Sequence, residues 1–300
     1  MFKHLLVPLD GSRLAESALP AAAALAGRFK ATVTLLHVIE KNAPEQVHGE
    51  THLRTAEQAL EYLNEVSVRA FPKGVNVRCH VHEAPVRKMA KAIVAHEEEF
   101  HHDLIVMCTH GRGNTSRLMG GSVAQKVIGR GTKPVLILHP SPAAMPAPFI
   151  CRSILMPLDD NPEHDRALAA ARSISSAFGA ALHLLMVIRT AGAVSGKWFQ
   201  VFRLLPGATF HMLEMSVPDA EDYLKGQKSI LEKTGLVVTT AVERGDPIDV
   251  IRKAAAESSA DLIVLGTHGR FGADAYLSGS VASGVCSRCG QPLLLVPVGK

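Results

Sequence analysis

Residues 261–270 read DLIVLGTHGR and repeat, with two substitutions, the stretch DLIVMCTHGR at residues 103–112. In each copy four apolar residues follow an Asp and are followed closely by the tetrapeptide Thr-His-Gly-Arg. A short apolar run bounded by turn residues is typical of a strand buried on both faces of a parallel sheet. Because the stretch occurs twice, we expect two copies of one such fold in the chain.

Other segments repeat in the same order along the chain. The stretch HLLVPLD at residues 4–10 returns as SILMPLD at residues 153–159, and the Gly-Ser pair at 121–122 returns at 279–280. Prolines between the two copies indicate a short, semi-rigid linker. The predicted division is a first domain over residues 1–141, a linker over 142–150 and a second domain over 151–300.

Within each copy, short apolar runs alternate with longer segments of helical spacing. In the first copy the predicted strands are residues 5–9, 32–38, 75–81, 104–108 and 135–138, and the predicted helices are 13–28, 51–70, 85–99 and 121–130. Strand–helix alternation of this kind indicates βαβ units and a mainly parallel sheet. The predicted fold class is therefore α/β, with two tandem, doubly wound, open parallel sheets of Rossmann-like type.

Composition and charge exclude several classes of function. The 300 residues are 47% hydrophobic and 20% charged, with a formal net charge of +4. The chain has no basic block or basic–aromatic stripe, which argues against a dedicated nucleic-acid-binding protein. No apolar stretch reaches about 18 residues, so no membrane span is expected. Five cysteines without framework spacing favour a reducing compartment, and we expect a cytoplasmic protein.

Polar residues and glycines come directly after the predicted strands. Open parallel sheets bind their ligands beyond these carboxyl ends of the strands. Asp159 closes the first strand of the second copy, and Gly266, Gly269 and Gly279 follow its fourth strand. Glycines let backbone N–H groups approach an anion closely, and Ser280 before an apolar run predicts a helix N-terminus. The second copy therefore predicts a phosphate-binding loop.

This spacing resembles the G-x2-G-x9-G-[S/T] signature of the ATP-binding branch of the universal stress protein family, and the likeness covers nearly all of both halves. The resemblance implies that family's fold and ATP, with or without Mg²⁺, as ligand. The first copy departs from the signature at Cys108, which stands where the first glycine belongs. A side chain there would crowd the loop, and a positive φ would be costly. We therefore expect ATP more reliably in the second copy.

The resemblance also implies roles for the residues at the strand ends. The Pro-Leu-Asp of strand one would line the nucleoside pocket, the Val of strand two would touch adenine, and the residues after strand four would hold ribose and phosphates. In the second domain, the preferred ATP site, these residues are Pro157, Leu158, Asp159, Val187, Leu265, Gly266, His268, Gly269, Arg270, Gly279, Ser280 and Val281. In the first domain they are Pro8, Leu9, Asp10, Val38, Met107, Cys108, His110, Gly111, Arg112, Gly121, Ser122 and Val123.

The resemblance implies partners as well. Tandem members of the family pack their halves through the last strands, so residues 135–138 and 293–296 would pair as an intramolecular pseudo-dimer and cover each other's edges. A further homodimer is compatible with this arrangement. No nucleophile with a base, carboxylate pair or metal cage stands at convincing spacing. The chain is therefore interpreted as a stress-response binding and regulatory module that hydrolyses ATP slowly at most.

Two alternatives stay open. An ATP-dependent enzyme of a related α/β class would carry a Ser-Gly-Gly-x-Asp-Ser loop after strand one, where this chain has Asp-Gly-Ser at 10–12 and Asp-Asp-Asn at 159–161. The other alternative is an interaction scaffold that binds no nucleotide. Failure of both copies to retain any nucleotide would favour the scaffold.

Several weaker patterns have ordinary structural interpretations beside functional ones. Cys286 and Cys289 form a C-x-x-C pair, which we interpret as two neighbouring thiols on a helix. His37 and His183 are expected in the core, and the segment 97–102, EEEFHH, is expected to be a solvated helix end without a metal. The longer segment 190–222 of the second copy predicts a lid, a partner surface or a loop packed on its own domain.

Overall fold

A computed structural model describes the backbone of residues 1–109, 123–139, 148–159, 165–189, 206–268 and 280–298. The side chains of residues 165 and 206–216 are not described. In the first half the elements are β1 (His4–Pro8), α1 (Arg13–Glu16), α2 (Leu19–Phe29), β2 (Thr32–Glu40), β3 (Gln46–Val47), β4 (Glu50–Thr51), α3 (Ala56–Ala70), β5 (Val77–Val86), α4 (Met89–Glu99), β6 (Leu104–Cys108), α5 (Val123–Arg130) and β7 (Val135–Leu138). In the second half they are β8 (Ser153–Leu158), α6 (Asp165–Phe178), β9 (Ala181–Arg189), α7 (Pro206–Glu232), β10 (Val238–Gly245), α8 (Pro247–Glu257), β11 (Leu262–Thr267), α9 (Val281–Arg288) and β12 (Leu293–Pro297).

Ten strands form one sheet in the order β10-β9-β8-β11-β12-β7-β6-β1-β2-β5. Pairing is parallel within each half. The central strand of the first half, β1, lies between β2 and β6, and that of the second half, β8, lies between β9 and β11. Strands β7 and β12 pair antiparallel, with Leu136 opposite Leu294, so the sheet runs without a break from one half to the other. The prediction of two tandem, mainly parallel α/β units is confirmed.

Helices cover both faces of the sheet because strand residues alternate between two apolar cores. Leu5 and Val7 of β1 belong to the core beneath α2 and α3, whereas Leu6 belongs to the core beneath α4 and α5. All three side chains are fully buried. Burial of each such side chain stabilises the fold by roughly 1.5–3 kcal/mol relative to exposure. The sheet therefore leaves only its strand ends and its outer edges open for function.

Three of the predicted helices have different bounds in the structure. The predicted helix 85–99 begins only at Met89, because strand β5 continues to Val86. The predicted helix 13–28 is divided into α1 and α2, because Ser17 caps the end of α1 and Pro20 occupies the first turn of α2. The predicted helix 51–70 begins only at Ala56, since Thr55 is its N-cap. The residues before it are taken up by the β3–β4 hairpin, which the sequence did not predict.

The long segment 190–222 of the second copy is described only in part. From Pro206 onward it is the first half of helix α7, which packs on β9 and β10 through its later turns. Residues 190–205, including Trp198, lie outside the described residues. Among the helices that are described, none is both long and apolar enough to cross a bilayer.

Candidate functional site

In each half a ligand-binding crevice is expected at the ends of two neighbouring strands, β1 and β6 in the first half and β8 and β11 in the second. The chain leaves these two neighbouring strands toward opposite sides of the sheet, and ligands of open α/β sheets bind beyond the strand ends at this point. Asp10 stands two residues after Pro8, the last residue of β1, and Asp159 directly follows β8. Both carboxylates therefore stand at the carboxyl edge of the sheet, as the sequence predicts.

In the first half, Asp10 is fixed by the start of helix α1. Its Oδ1 accepts hydrogen bonds from the backbone N–H of Ser12, at 2.9 Å, and from the Ser12 hydroxyl, at 2.6 Å. The Ser12 Oγ in turn accepts from Ala15 N–H at 3.2 Å and so caps α1. The Asp10 side chain is 32% exposed, so its carboxylate is anchored and still reachable by a ligand.

His37 supports the same strand end from beneath. Its Nδ1 lies 2.8 Å from the carbonyl oxygen of Leu9, and since a carbonyl can only accept, Nδ1 carries a proton. The ring is buried, and this burial lowers the pKa of His37. His37 is a core residue, as the sequence analysis expected. His183 is not, because its ring is half-exposed and contacts the Thr239 hydroxyl at 2.6 Å.

Cys108 belongs to the core of the first half. It is the last residue of β6, paired with Leu138, and its sulfur lies 3.7 Å from the Ala15 carbonyl oxygen beneath α1. Burial raises the pKa of this thiol to about 12. The residue is extended, so the positive φ considered in the sequence analysis is not adopted there. The sulfur is engaged in packing, and the expected backbone strain does not arise.

The apolar residues predicted for the two base pockets lie at the strand ends. Val38 near the end of β2 and Met107 in β6 are buried in the core beneath α4 and α5. In the second half, Leu265 is buried, whereas Val187 near the end of β9 is only half-buried. Each half thus combines an apolar wall with the carboxylate that follows its central strand.

The second half carries its polar groups on three adjoining elements. Asp159 is exposed at the end of β8, and Gly266, next to last in β11, pairs with Val296 of β12. His268 follows β11 and is exposed. Ser280 is the N-cap of α9, its Oγ accepting from the N–H of Ser283 at 3.5 Å.

The remaining predicted site residues lie at strand ends, at helix starts or in the two glycine loops. Pro8 ends β1, Pro157 and Leu158 are the last two residues of β8, and Val123 and Val281 are the first residues of α5 and α9. The loop residues that fall outside the described part of the chain are His110, Gly111, Arg112, Gly121, Ser122, Gly269, Arg270 and Gly279.

Sequence reasoning missed the hairpin that lies beside the first site. Glu50 of β4 accepts a hydrogen bond from Arg13 N–H at 2.6 Å, and the Nε2 of His48 lies 3.9 Å from Asp10 Oδ2. The available signal was a His-Gly pair between two short polar–apolar stretches, since such a pair suits a tight hairpin turn.

Glu97 and His102 contradict the expectation of a solvated helix end. Glu97 is fully buried, and its Oε1 accepts hydrogen bonds from Thr132 N–H, Thr132 Oγ1 and Lys133 N–H at 2.9–3.0 Å. His102 is also buried, with Nδ1 3.2 Å from the carbonyl oxygen of His96. Glu97 ties helix α4 to the segment before β7, a role that depends on distant residues, whereas His102 bonds back to His96 of the same helix.

The described residues were also compared with what a reactive thiol or a metal site requires. Cys286 lies on α9, where burial raises the pKa of its thiol to about 11, and Cys289 follows directly after the helix. Such thiols are poor nucleophiles at neutral pH. Among the described residues, no group of three or more His, Cys, Asp or Glu side chains is arranged to hold a metal ion.

Comparison with known proteins agrees with the repeat and the fold. The sequence model of the universal stress protein family matches the chain twice, at residues 1–139 and 151–297. A universal stress protein of Synechocystis is 34% identical over 138 residues, which is 46% of this chain and 86% of the relative. A universal stress protein of Mycolicibacterium smegmatis is 24% identical over 307 residues, covering 97% of this chain and 96% of the relative.

A solved structure shows the same fold over the whole chain. The universal stress protein from Archaeoglobus fulgidus DSM 4304 superimposes with a TM-score of 0.68 at 18% identity, covering 99% of this chain and 97% of that one. Together with the double match, this likeness confirms the family resemblance found in the sequence. The chain belongs to the universal stress protein family, as a tandem member with one copy of the family's fold in each half.

Proposed function

We propose that this chain is a regulatory protein that binds an adenine nucleotide, and that its second half is the more reliable site for ATP. The observation that carries the proposal is the placement of three groups on adjoining elements of that half. Asp159 ends the central strand, Gly266 stands near the end of the neighbouring strand, and Ser280 caps α9 at its N-terminus. A carboxylate, a strand-end glycine and a helix N-terminus suit ribose and phosphate groups.

Each group has a separate role in this proposal. Asp159, which is exposed, accepts hydrogen bonds from the ribose hydroxyls. Val187 and Leu265 offer apolar surface to the adenine ring. The N-terminus of α9 and the glycine loop before it contribute N–H donors to the phosphates, where the helix dipole also favours negative charge. Mg²⁺ would accompany the triphosphate in this arrangement.

The first half is proposed as a second, less reliable nucleotide site. Asp10 stands at the same position as Asp159, and Cys108 takes its place in the core without a positive φ. Asp10 is, however, partly covered by His48 and the hairpin that carries it. The pairing of β7 with β12 supports the proposal that the two halves act together as an intramolecular pseudo-dimer.

The proposed activity is binding, with slow ATP hydrolysis at most. At the strand ends of the first half, the side chains of Asp10 and His37 are hydrogen-bonded to the backbone, as acceptor and donor respectively. His268, exposed after β11, stands at the strand end where we propose the phosphates to bind.

The test is to purify the full chain without added nucleotide, denature it, and identify any released small molecule by mass and stoichiometry. Gly279→Glu and its first-half counterpart Gly121→Glu form a matched pair that blocks one phosphate loop each. We expect ATP at one equivalent or more per chain, with the larger loss in Gly279→Glu. Absence of any bound nucleotide, with none taken up from millimolar ATP, would refute the proposal and favour the interaction scaffold.

A further inference from the structure

A short hairpin, strands β3 and β4 with their turn (residues 46–51), lies against the loop that follows β1. Its two turn residues, His48 and Gly49, have φ values of 51° and 86°. Positive φ at both central positions is the mark of a type I′ turn, whose twist matches that of a two-stranded ribbon. The turn therefore holds His48 at the tip of a defined hairpin.

One side of the hairpin is bonded to the backbone at the end of the loop after β1, where Arg13 begins helix α1. An oxygen of Glu50 accepts a hydrogen bond from Arg13 N–H at 2.6 Å, and the other oxygen lies 3.4 Å from Arg13 Nε. The Arg13 side chain is 91% exposed, so its ion pair adds little in water. The charge-assisted bond to the N–H is the contact that ties the hairpin to this loop.

The tip of the hairpin faces the carboxylate that the proposed nucleotide needs. The Nε2 of His48 lies 3.9 Å from Oδ2 of Asp10, while Oδ1 of the same carboxylate is bonded to Ser12. The side chains of His48 and Asp10 are only 25% and 32% exposed. His48 therefore covers the Asp10 oxygen that Ser12 does not use.

The base of the hairpin is anchored more firmly than its tip. His52 is buried, with its N–H bonded to the Glu45 carbonyl oxygen at 3.0 Å and its Nε2 3.7 Å from Glu40. Leu53 packs so closely on Gly11 that a Cβ there would lie 3.0 Å from the leucine side chain. The base is buried, whereas the contact of His48 with Asp10 Oδ2 at 3.9 Å is longer than a hydrogen bond, so this contact can be released while the base stays in place.

We infer that this hairpin is a clasp that limits nucleotide entry to the first site, with His48 and the ribose competing for Asp10. The inference rests on the proposed function, since it assigns Asp10 to the nucleotide. Entry requires His48 to leave Oδ2 of Asp10 and loosens the Glu50 bond to Arg13. The two halves then differ in access, because Asp159 is exposed where Asp10 is partly covered.

The test measures ATP binding to the first site of the full-length chain by titration calorimetry and stopped-flow mixing, with Gly279→Glu present to remove the second site. His48→Gly keeps the turn conformation and removes the imidazole, and Glu50→Gln weakens the bond to Arg13. We expect each change to raise the association rate and the affinity about two- to fivefold, the effect of releasing one weak polar contact. Gln46→Ala, at an exposed residue of the same hairpin, should leave both quantities unchanged.

A second measurement separates a clasp from a lid that closes over its ligand. When ATP fills the first site, amide hydrogen exchange in residues 46–51 and at Arg13 should become faster, since entry releases the hairpin. Slower exchange on binding, or unchanged affinity in both hairpin variants, overturns the clasp while leaving nucleotide binding intact. Absence of ATP from the first site in every variant, while the second half of the chain that keeps Gly279 still binds it, also overturns the clasp. Absence of ATP from both halves of the unmodified chain refutes the proposed function together with the clasp.

Discussion

The Nδ1 atom of His82 lies 3.0 Å from the Nε2 atom of His96, so one imidazole donates a hydrogen bond to the other between β5 and α4. His80 packs on the same ring at a centroid distance of 4.7 Å, and Phe100 stacks on it at 5.5 Å. Burial first, and the neighbouring rings of His80 and His82 next, lower the pKa of His96. Glu99, 3.1 Å from His96 Nδ1, opposes this shift only partly.

This cluster predicts acid-sensitive stability of the first half. An unfolded histidine titrates near about pH 6.5, and the pKa of folded His96 is lower. The unfolded chain therefore takes up the proton first, so stability that is complete above this pH falls as the pH drops through it. We expect the urea midpoint to be lower at pH 5.5 than at pH 7.5, and His96→Gln to flatten this dependence.

His101→Asn is the matched control for this pH dependence. His101 is exposed and has a φ of 52°, a conformation that Asn tolerates well. Its replacement should leave the pH dependence of the midpoint unchanged. An equal flattening in both variants would show that the buried ring is not the sensitive group.

The buried carboxylate of Glu97 predicts a large and local stability loss. It accepts three hydrogen bonds from Thr132 and Lys133, and these fix the segment between α5 and β7. We expect Glu97→Ala to lower the free energy of unfolding by about 3 kcal/mol, because two backbone N–H donors lose their charged acceptor. Glu97→Gln should cost less, since its amide oxygen still accepts.

Glu98 provides the comparison for Glu97 in the same urea titrations. It is the next residue on α4 and is exposed. Glu98→Ala should change the free energy of unfolding by no more than about 0.5 kcal/mol. Similar losses at both positions would contradict the assignment of Glu97 as the residue that fixes this segment.

Restoring the signature glycine at Cys108 should weaken the first half and leave its ATP affinity unchanged. The sulfur fills core space beneath α1, 3.7 Å from the Ala15 carbonyl oxygen. We expect Cys108→Gly to reduce the free energy of unfolding by about 2 kcal/mol, through lost packing and a more flexible backbone. Cys108→Ala should also reduce the free energy of unfolding, but by less than Cys108→Gly. A clear gain in first-site ATP affinity in the glycine variant would show that the sulfur obstructs the loop.

The joint between the halves can be tested by cross-linking. Leu136 of β7 and Leu294 of β12 are directly opposite and lie in the same apolar core. Cα atoms of directly opposed residues in antiparallel strands lie about 4.5–5.5 Å apart, within reach of a disulfide. We expect the double variant Leu136→Cys, Leu294→Cys to form that bond on oxidation, as read by peptide mapping and gel mobility.

The control for the cross-link pairs Leu136→Cys with Leu293→Cys. Leu293 belongs to the core on the opposite face of the sheet, so its side chain points away from residue 136. This combination should remain unlinked. Equal cross-linking of both pairs would show that the register of β7 and β12 is not the one described.

Much of the fold could be predicted from the sequence because its signals are local and occur twice. The strand positions near residues 104–108 and 135–138 follow from short apolar runs, and the α/β class follows from their alternation with helical segments. The candidate positions Asp10 and Asp159 were found the same way, since the end of a predicted strand is visible in one stretch of sequence. The double match to the family then confirmed the repeat.

The positions that sequence reasoning misjudged depend on partners far along the chain. Glu97 resembles a solvated acidic run, yet its partners stand 35 and 36 residues later, across the α4–α5 interface. Neighbouring residues in the sequence carry no sign of such a partner. Burial of a polar group is stable only where the fold supplies hydrogen bonds, so it cannot be inferred from the acidic run alone.

The sequence by itself determined the tandem repeat, the α/β class and the strand-end positions, because hydrophobic periodicity and turn residues act over a few neighbours. Only the tertiary structure decided that Cys108 packs into a core and that His48 faces Asp10. Each of these contacts joins residues far apart in the chain. They form only when many apolar side chains are buried together, and no single segment encodes that cooperative event.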